Sequence, residues 1–333
     1  MLPDTFRCYL VKKTGKDQIE SAVERRPLVE LPAGDVLIEV AYSSVNFKDS
    51  MAAKGHPGVA RTFPHVPGID AAGTVVQTAS SEFQVGDQVL LTSYELGVER
   101  WGGWSEFVRV PAEWVVPLPQ GMSLADSMTL GTAGLTAGLS IRALQQHDVN
   151  PDSGEVLVTG ATGGVGSLAV MLLARVGYTV VAVSGKAERR EWLQQLGASR
   201  VVGREDVLDG SKRPLLSAKW AGVVDTVGGA MLASLLRSMK NEGCIAACGV
   251  AGGADLNTSV YPFILRGVTL RGIDSAWCSM PRRREVWGLL AGDWKLDALE
   301  AIRHTIGLDE LSDNAPKLLA GSHVGRTVID VWR

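Results

Sequence analysis

The sequence predicts an α/β protein in which a doubly wound parallel sheet is joined to a smaller, barrel-like β unit. Three observations carry this prediction: short apolar runs separated by Gly and Pro in the first third of the chain, strands that alternate with helices from Glu155 onward, and a length of 333 residues. Such a length fits two domains rather than one core. We place residues 1–124 and 297–333 in the β unit and residues 125–296 in the parallel-sheet domain.

The β unit is predicted from short apolar runs at regular intervals, a pattern typical of an all-β, barrel-like fold. These runs are Val36–Val40, Gly73–Val76, Asp87–Leu91 and Phe107–Val110. A last run, Arg326–Val331, has no following helix that could complete another crossover. We therefore expect this terminal strand to return to the first unit.

The central domain is predicted from apolar strands separated by helices, because a parallel sheet is covered by helices on both faces. The predicted strands are Val156–Val158, Tyr178–Val183, Val201–Val202, Val223–Val224 and Cys244–Cys248. The predicted helices are Val165–Val176, Lys186–Leu196 and Met231–Met239.

Composition excludes several classes of protein. A hydrophobic content of 46% and a formal net charge of −3 exclude a disordered chain and a strongly basic nucleic-acid binder. The densest apolar run, Leu168–Ala174, is too short to span a bilayer, and the N-terminus lacks a signal-peptide pattern. Four cysteines are too few for a disulfide framework. We expect a cytoplasmic protein with no nucleic-acid or membrane partner.

A glycine-rich loop lies between the first strand and the first helix of the central domain. Its residues are Ala161, Thr162, Gly163, Gly164, Val165 and Gly166, preceded by Thr159 and Gly160. The pattern is a dinucleotide fingerprint with Ala at the first glycine position. Such a loop brings bare backbone and a helix N-terminus to a pyrophosphate, so it predicts dinucleotide binding.

The end of the second strand favours NADP(H) over NAD. An NAD site places Asp or Glu there to bind the ribose hydroxyls, whereas this chain has Ser184, Gly185 and Lys186. Arg189 follows one turn later, and Arg204 follows the third strand. A hydroxyl and cations in place of a carboxylate suit a 2′-phosphate. A solvated helix face remains an alternative for Arg189 and Arg190.

Several motifs occur in an order that resembles a known family. They are Asn46–Asp49, Pro67–Gly73, Val85–Val89, Thr92–Gly97, Gly131–Ala137, the glycine loop, Pro262–Gly267 and Gly272–Ser275. The chain resembles the zinc-independent, quinone-oxidoreductase-like branch of the medium-chain dehydrogenase/reductases. Within it, the YhdH/YhfP-type subfamily, which includes NADPH-dependent acrylyl-CoA reductases, matches best over essentially the whole chain.

This resemblance implies a GroES-like catalytic domain, a Rossmann domain and a nicotinamide held in the cleft between them. It also implies a homodimer formed through the strand near Val268–Ile273. The cofactor contacts that it implies beyond the glycine loop and the basic segment are Phe47, Thr132, Thr136, Val250, Ile264, Ser275 and Arg326.

Catalytic zinc is not expected. Zinc-bearing relatives carry Gly-His-Glu where this chain has Gly68-Ile69-Asp70, so the imidazole ligand is missing. Without a Lewis acid, hydride addition to an activated acceptor is the expected chemistry, and it needs groups that stabilise the developing oxyanion. The candidates are Asn46, Lys48, Asp49, Asp70 and Tyr94.

Each candidate also has a structural interpretation. Asn46 is a good turn former, Lys48 and Asp49 are able to pair as ions, Asp70 is able to brace backbone, and Tyr94 is able to pack in a wall. The run Arg282–Arg284, together with Arg61, is either a solvated surface or a binding site for CoA phosphates.

Three hypotheses about activity remain open at this point. The first is reduction of an α,β-unsaturated thioester or enone, the second is reduction of a quinone, and the third is NADPH binding without turnover. Phe47 stands where the subfamily commonly has Tyr, so a hydroxyl that could contact the cofactor or donate a proton is missing.

Overall fold

The computed structural model describes residues 2–15 and 18–333. Its strands are β1 (Thr5–Lys13), β2 (Ile19–Pro27), β3 (Val36–Val45), β4 (Asp70–Thr78), β5 (Gln88–Thr92), β6 (Phe107–Val110), β7 (Val116–Pro117), β8 (Val156–Val158), β9 (Val180–Val183), β10 (Arg200–Val202), β11 (Trp220–Asp225), β12 (Met239–Ala247), β13 (Thr269–Gly272), β14 (Arg303–Ile306) and β15 (Arg326–Asp330). Its α-helices are α1 (Phe47–Ala53), α2 (Leu124–Gln145), α3 (Gly164–Arg175), α4 (Arg190–Gln195), α5 (Gly229–Arg237), α6 (Tyr261–Arg266), α7 (Met280–Ala291) and α8 (Leu311–Leu319).

The chain divides into two units. Unit 1 comprises Met1–Thr132, Ala276–Ala291 and Asp297–Arg333. Unit 2 comprises Ala133–Ser275 and Gly292–Leu296.

Unit 1 is built on a seven-stranded sheet with the order β14-β15-β3-β4-β5-β7, in which β6 also pairs with β3. The strands β1 and β2 form a separate antiparallel hairpin. The terminal strand β15 pairs antiparallel with β3, from Thr327 opposite Val45 to Asp330 opposite Tyr42. The expected return of this strand to the first unit is therefore confirmed. The largest fully buried apolar side chains of this core include Phe6, Leu37, Ile38, Trp104 and Phe107.

Unit 2 is a six-stranded parallel sheet with the order β10-β9-β8-β11-β12-β13. Counted within the unit, this is the strand order 3-2-1-4-5-6 of a Rossmann fold. The order reverses between β8 and β11, and ligands of such sheets bind at the carboxyl ends of the strands at this switch point. The predicted fold class is confirmed.

Most predicted elements are present, with corrections at their ends. The helix predicted over Met231–Met239 is α5, which ends at Arg237, and Met239 instead begins β12. The segment predicted as one helix from Lys186 begins with a 3₁₀ turn at Ala187–Arg189, and only Arg190–Gln195 is α-helical.

The units differ from the predicted boundaries in two segments. Residues 125–132 and 276–291 lie with unit 1. The second segment contains α7, whose fully buried Arg283 donates hydrogen bonds to Thr92 of unit 1. A charged run had indicated a solvated helix start, so this anchor is not visible from composition. Among the described residues, no helix is long and apolar enough to cross a membrane.

Candidate active site

Unit 1 contains a buried polar cluster that we call the Asp49–Asp70 cluster. It comprises Ser44, Asn46, Asp49, Asp70, Thr132 and Arg326. Four of its members lie at or near the end of an element: Ser44 is near the end of β3, Asn46 caps α1, Asp70 begins β4 and Arg326 begins β15. All six residues are at most 8% exposed except Thr132, which is partly buried.

Asp70 is the acceptor at the centre of this cluster. Its Oδ2 accepts hydrogen bonds from Ser44 Oγ at 2.6 Å and Asn46 Nδ2 at 2.8 Å. Its Oδ1 accepts one from the Thr132 hydroxyl at 2.6 Å. The Arg326 guanidinium lies 3.8 Å from Oδ2. A buried carboxylate needs this many donors, because an unpaired charge is costly away from water.

Asp49 holds the turn that leads into β4. Its Oδ1 accepts from the backbone N–H of Ile69 at 2.8 Å and of Gly68 at 3.2 Å, and its Oδ2 accepts from the Asn46 N–H at 2.8 Å. Burial, reinforced by the negative charge of Asp70, raises the pKa of Asp49 to about 7. These backbone contacts and the Asn46 side-chain amide, 3.2 Å from Oδ2, rather than an ion pair with Lys48, are the partners of this carboxyl group among the described residues.

Arg326 joins the cluster to α2. Its Nε donates to the Thr129 carbonyl at 2.8 Å, its Nη1 to Asn46 Oδ1 at 3.0 Å, and its Nη2 to Ser44 Oγ at 3.0 Å. Burial lowers the pKa of this guanidinium, although the charges of Asp70 and Asp49 act in the opposite direction. Arg326 is thus engaged within unit 1, and its cofactor contact remains a prediction.

Helix α2 is interrupted at Gly131, which has φ 49° and ψ −151°. A Cβ atom at this position would collide with the Asp70 carboxylate and lie 3.0 Å from Arg326 Nη2. Only glycine fits here, because both the left-handed φ and the close approach exclude a side chain. The break presents the N–H of Thr132 to Asp70.

Two neighbouring candidates, at the start of α1, are not among the hydrogen-bonded members of the cluster. Phe47 is 49% exposed at the start of α1. Lys48 is partly exposed, and its ammonium makes no hydrogen bond or ion pair with the residues that the structure describes. Lys48 is therefore a cation whose three donors are available to a ligand.

Tyr94 lies in unit 1, in the loop that follows β5, directly after Ser93, which contacts Thr132 of the cluster. The Ser93 hydroxyl lies 3.0 Å from Thr132 Oγ1, and it must donate because the Thr132 hydroxyl already donates to Asp70. Tyr94 stacks on Trp114, with ring centroids 5.3 Å apart and planes 9° apart.

In unit 2 the glycine loop follows β8 at the switch point of the sheet. Thr159 Oγ1 donates to Asp225 Oδ1 at 2.6 Å and accepts from the Thr226 N–H at 2.9 Å, which ties the ends of β8 and β11 together. Gly163 is the N-cap of α3, so the free N–H groups of this helix begin at the loop. A Cβ atom on Gly166 would collide with the Gly160 carbonyl. This is the close packing of helix and strand that the fingerprint requires.

A basic cluster lies at the carboxyl end of β9, next to this loop in the sheet order. We call it the Lys186 cluster, and it comprises Ser184, Gly185, Lys186, Arg189 and Arg204. A Cβ atom on Gly185 would lie 2.9 Å from Arg204 Nε, and Ser184 Oγ accepts from the Lys186 N–H at 3.0 Å.

The Lys186 cluster is electrostatically suited to an anion. Burial, followed by the charges of Arg189 and Arg204, lowers the pKa of Lys186, and Glu188 opposes this only in part. Cations that repel one another in this way gain stability when an anion binds. The contact of this cluster with a 2′-phosphate remains a prediction.

The other predicted cofactor residues of unit 2 are more dispersed. Thr136 Oγ1 donates to Ser275 Oγ at 2.7 Å. Val250 and Ile264 are 63% and 68% exposed. Their cofactor contacts remain predictions.

The described residues contain no group of three or more His, Cys, Asp or Glu side chains placed to hold a metal ion. Ile69 is buried, and the neighbouring Asp70 is fully committed to the donors described above.

Two family models match the chain. Residues 32–120 match the alcohol dehydrogenase GroES-like domain, and residues 164–291 match the zinc-binding dehydrogenase domain. Acrylyl-CoA reductase AcuI of Ruegeria pomeroyi is 45% identical over 320 residues, which cover 96% of this chain and 96% of that protein. The chain belongs to the medium-chain dehydrogenase/reductase family.

Solved structures agree with this membership at the level of the whole chain. The yhdH oxidoreductase from Salmonella enterica, in complex with NADP, is 41% identical with a TM-score of 0.94, over 97% of this chain and 99% of that one. The Bacillus subtilis protein yhfP, with NAD bound, is 45% identical with a TM-score of 0.95, over 98% and 99%. The predicted family is confirmed.

Sequence reasoning missed two contributors to unit 1 of this medium-chain dehydrogenase/reductase. Ser44 lies in a strand whose small polar residues gave no signal. Arg283 was hidden in an arginine run, yet it shares the helical spacing of the buried Val286, Trp287 and Leu290. That i, i+3, i+4, i+7 spacing was the signal that could have found it.

Proposed function

We propose that the chain is an NADPH-dependent oxidoreductase that reduces an activated carbon–carbon double bond, in an α,β-unsaturated thioester such as acryloyl-CoA or in an enone. The observation that carries this proposal is the end-to-end similarity to acrylyl-CoA reductase AcuI. It is also the first of the three activities that the sequence left open, and the glycine loop and the Lys186 cluster of unit 2 support NADPH as the reductant.

One set of residues would bind the pyrophosphate of NADPH, and another set would bind its 2′-phosphate. The N–H groups at the start of α3 and the bare backbone of the glycine loop would hold the pyrophosphate. The Lys186 cluster would hold the 2′-phosphate, with Arg204 and Lys186 as its cations. NADPH, when bound, supplies a hydride from its nicotinamide ring.

The acceptor needs help at its carbonyl oxygen. When hydride adds to the β-carbon, the electron pair of the double bond moves toward the α-carbon and carbonyl, and an enolate oxygen becomes negative. The Lys48 ammonium is the group that we assign to this oxyanion, because its donors are not used elsewhere among the described residues. A proton from water then adds to the α-carbon, which leaves a saturated thioester and NADP⁺.

The Asp49–Asp70 cluster has a supporting role in this proposal. Asn46 is fixed by Asp49, Asp70 and Arg326 together, and it caps the helix that begins with Phe47 and Lys48. The cluster therefore fixes the backbone from which Lys48 extends. Tyr94 is assigned to the wall that contacts the acceptor.

Quinone reduction is the second candidate, and Phe47 favours it. A quinone carries its new protons on oxygen, which exchanges them with water, whereas an enolate requires protonation at carbon. Phe47 has no hydroxyl to donate such a proton. The absence of a hydroxyl at Phe47 would thus lower the activity of a quinone reductase less than the activity of a thioester reductase.

An acceptor panel tests the proposal. NADPH oxidation is measured with acryloyl-CoA, a simple enone and a small quinone, and each assay is repeated with NADH. We expect the highest kcat/KM with acryloyl-CoA and NADPH. A higher kcat/KM with the quinone would select the second candidate, and NADPH binding without oxidation by any acceptor would refute both.

We further propose a homodimer formed through β13. This strand lies at the edge of the unit 2 sheet, and the neighbouring α6 carries Tyr261 and Leu265, which are 45% and 59% exposed. An open edge beside apolar side chains favours pairing with a second copy. Leu265→Glu should give a monomer by light scattering where the native chain gives a dimer.

The proposed cellular site is the cytoplasm, with small-molecule acceptors and no nucleic-acid partner. All four cysteines are free, and the net charge of −3 disfavours phosphate backbones. Fractionation of cells that express the tagged chain would test this location.

A further inference from the structure

Arg283 is a fully buried arginine at the first position of the buried stripe of α7. Its Nη1 donates to both oxygens of Thr92, the carbonyl at 2.8 Å and the hydroxyl at 2.6 Å. Its Nη2 donates to the Ala276 carbonyl at 3.1 Å. One side chain thus joins the end of β5 to the segment that precedes α7.

The same guanidinium lies against an aromatic ring. Its central carbon is 4.3 Å from the centroid of the Tyr94 ring, well within the range of a cation–π contact. Trp114 stacks on Tyr94, and Trp277 meets it edge to face at 5.8 Å. Arg283 and two tryptophans therefore determine where the Tyr94 ring lies.

The backbone at Tyr94 needs this support. Ser93 and Tyr94 have φ values of 62° and 54°, and two consecutive non-glycine residues in the left-handed region are unfavourable without external contacts. The Tyr94 N–H donates to the Ala276 carbonyl at 3.2 Å. That same carbonyl accepts from Arg283, so the loop and the arginine share an anchor.

One member of this group faces solvent. Trp277 is 61% exposed, although large aromatic side chains are usually covered, and Tyr94 is partly exposed beside it. The exposed indole of Trp277 contacts the ring of Tyr94, whose position is fixed by Arg283 and Trp114. The two rings therefore form a preorganised surface for a planar or apolar ligand.

We propose that Arg283 is a positioning residue for the acceptor, acting through Tyr94. It holds the strained loop and the ring so that Tyr94 and Trp277 present one fixed surface to the substrate. Loss of Arg283 then weakens acceptor binding and leaves NADPH binding unchanged, because the phosphate sites lie on unit 2. This inference rests on the proposed reductase function.

The test compares the native chain with Arg283→Met, Arg283→Lys and the control Arg237→Met. Arg237 also donates to backbone carbonyls, those of Asp209, Ser211 and Arg213, but it lies on α5 of unit 2 and is a member neither of the Lys186 cluster nor of the contacts of Tyr94. For Arg283→Met we expect the acceptor KM to rise about tenfold, with kcat within about threefold and the NADPH KM within about twofold. Arg283→Lys should recover part of the loss, and Arg237→Met should lower the Tm without raising the acceptor KM.

A double-mutant cycle with Tyr94→Leu separates positioning from general destabilisation. If Arg283 acts through Tyr94, Arg283→Met adds less than about twofold to the acceptor KM in the Tyr94→Leu background. Full additivity, or an unchanged acceptor KM in folded Arg283→Met, would overturn the inference.

If Arg283→Met does not fold, Thr92→Val tests the same proposal, because the valine removes only the hydroxyl that accepts from Arg283 at 2.6 Å. We expect an acceptor KM raised about threefold and again coupled to Tyr94; an unchanged KM would count against the proposal. If the native chain fails to oxidise NADPH with every acceptor of the panel, the proposed function is refuted and this inference with it. If the native chain is active and the variants have the same acceptor KM as the native chain, the inference alone is refuted.

Discussion

Thr132 donates both its hydroxyl and its backbone N–H to the carboxylate of Asp70: Oγ1 lies 2.6 Å from Oδ1, and the nitrogen lies 3.0 Å from each carboxylate oxygen. These bonds form where α2 is broken at Gly131. The backbone N–H that follows this break thus donates to a charged acceptor. One carboxylate therefore stabilises a helix break and the buried Arg326 together.

The first prediction concerns removal of that carboxylate. Asp70→Ala leaves the Arg326 guanidinium and the donors of Ser44 and Thr132 buried without their acceptor, so we expect the free energy of unfolding to fall by about 3–5 kcal/mol. Asp70→Asn keeps one acceptor oxygen and should lose less. Urea unfolding measures both. The control is Asp87→Asn, at an exposed carboxylate that accepts from the Gln84 N–H, and it should change stability by less than about 0.5 kcal/mol. If Asp70→Ala lowered the free energy of unfolding by less than about 0.5 kcal/mol, the Asp70 carboxylate would not be an essential acceptor of the cluster.

The second prediction concerns the choice between NADPH and NADH. Ser184→Asp with Arg204→Ala places a negative charge in the Lys186 cluster and removes one cation. We expect the Kd for NADPH to rise about 100-fold, since charge-assisted bonds are strong, while NADH binds as before or more tightly. Fluorescence titration of each nucleotide measures this change.

Arg200→Ala is the matched control for that experiment. Arg200 is exposed and paired with Glu155 at the start of β10, away from the cluster. Its loss should leave both Kd values unchanged. An equal loss of NADPH and NADH affinity in the Ser184/Arg204 variant would show that the cluster does not recognise the 2′-phosphate.

The third prediction separates two glycines of the phosphate loop. In Gly166→Ala the new Cβ would collide with the Gly160 backbone, so we expect the Tm to fall by several degrees. In Gly163→Ala the nearest atom is the Gly160 carbonyl oxygen at 3.3 Å, which is tight but tolerable. That variant should keep its Tm and lose affinity for NADPH, because its backbone faces the pyrophosphate. Equal effects of the two changes on Tm would contradict this division of roles.

The sequence was informative where one physical signal dominates. The strand Phe107–Val110 has the bounds that its apolar run predicted, and the glycine loop lies between β8 and α3 as its spacing required. Local apolar pattern and glycine placement determine such elements without reference to distant parts of the chain.

The sequence was less informative where charged residues are buried. The hairpin of β1 and β2 escaped prediction because β2 is rich in Glu and Arg and only partly buried along its length. Arg326 and Arg283 gain their partners from residues 280 and 191 positions away, respectively Asn46 and Thr92. The helical spacing of Arg283 indicates that its side chain is buried but not which residue it contacts, and no local pattern indicates the partner of Arg326.

The last prediction follows from the buried Asp49. Its carboxylic acid is held protonated in the folded chain up to a pH of about 7, because burial and the charge of Asp70 raise its pKa from the ordinary value of 3.8. Between these two pH values the folded state binds more protons at this site than the unfolded state does. The contribution of Asp49 to stability therefore declines as the pH rises toward 7, and it is constant above 7.

Asp49→Asn removes this dependence, since an amide does not titrate, at the cost of a pH-independent loss of the bond from the Asn46 N–H. We expect the Tm of the variant to lie furthest below that of the native chain at pH 5, and the difference to shrink steadily up to pH 7. Thermal unfolding at half-unit pH steps from 5 to 8 measures it. If the Tm difference between Asp49→Asn and the native chain is independent of pH, the pKa of Asp49 lies outside this window. If the Tm difference narrows toward pH 7, the fold must keep the Asp49 carboxyl protonated beside Asn46 and Asp70.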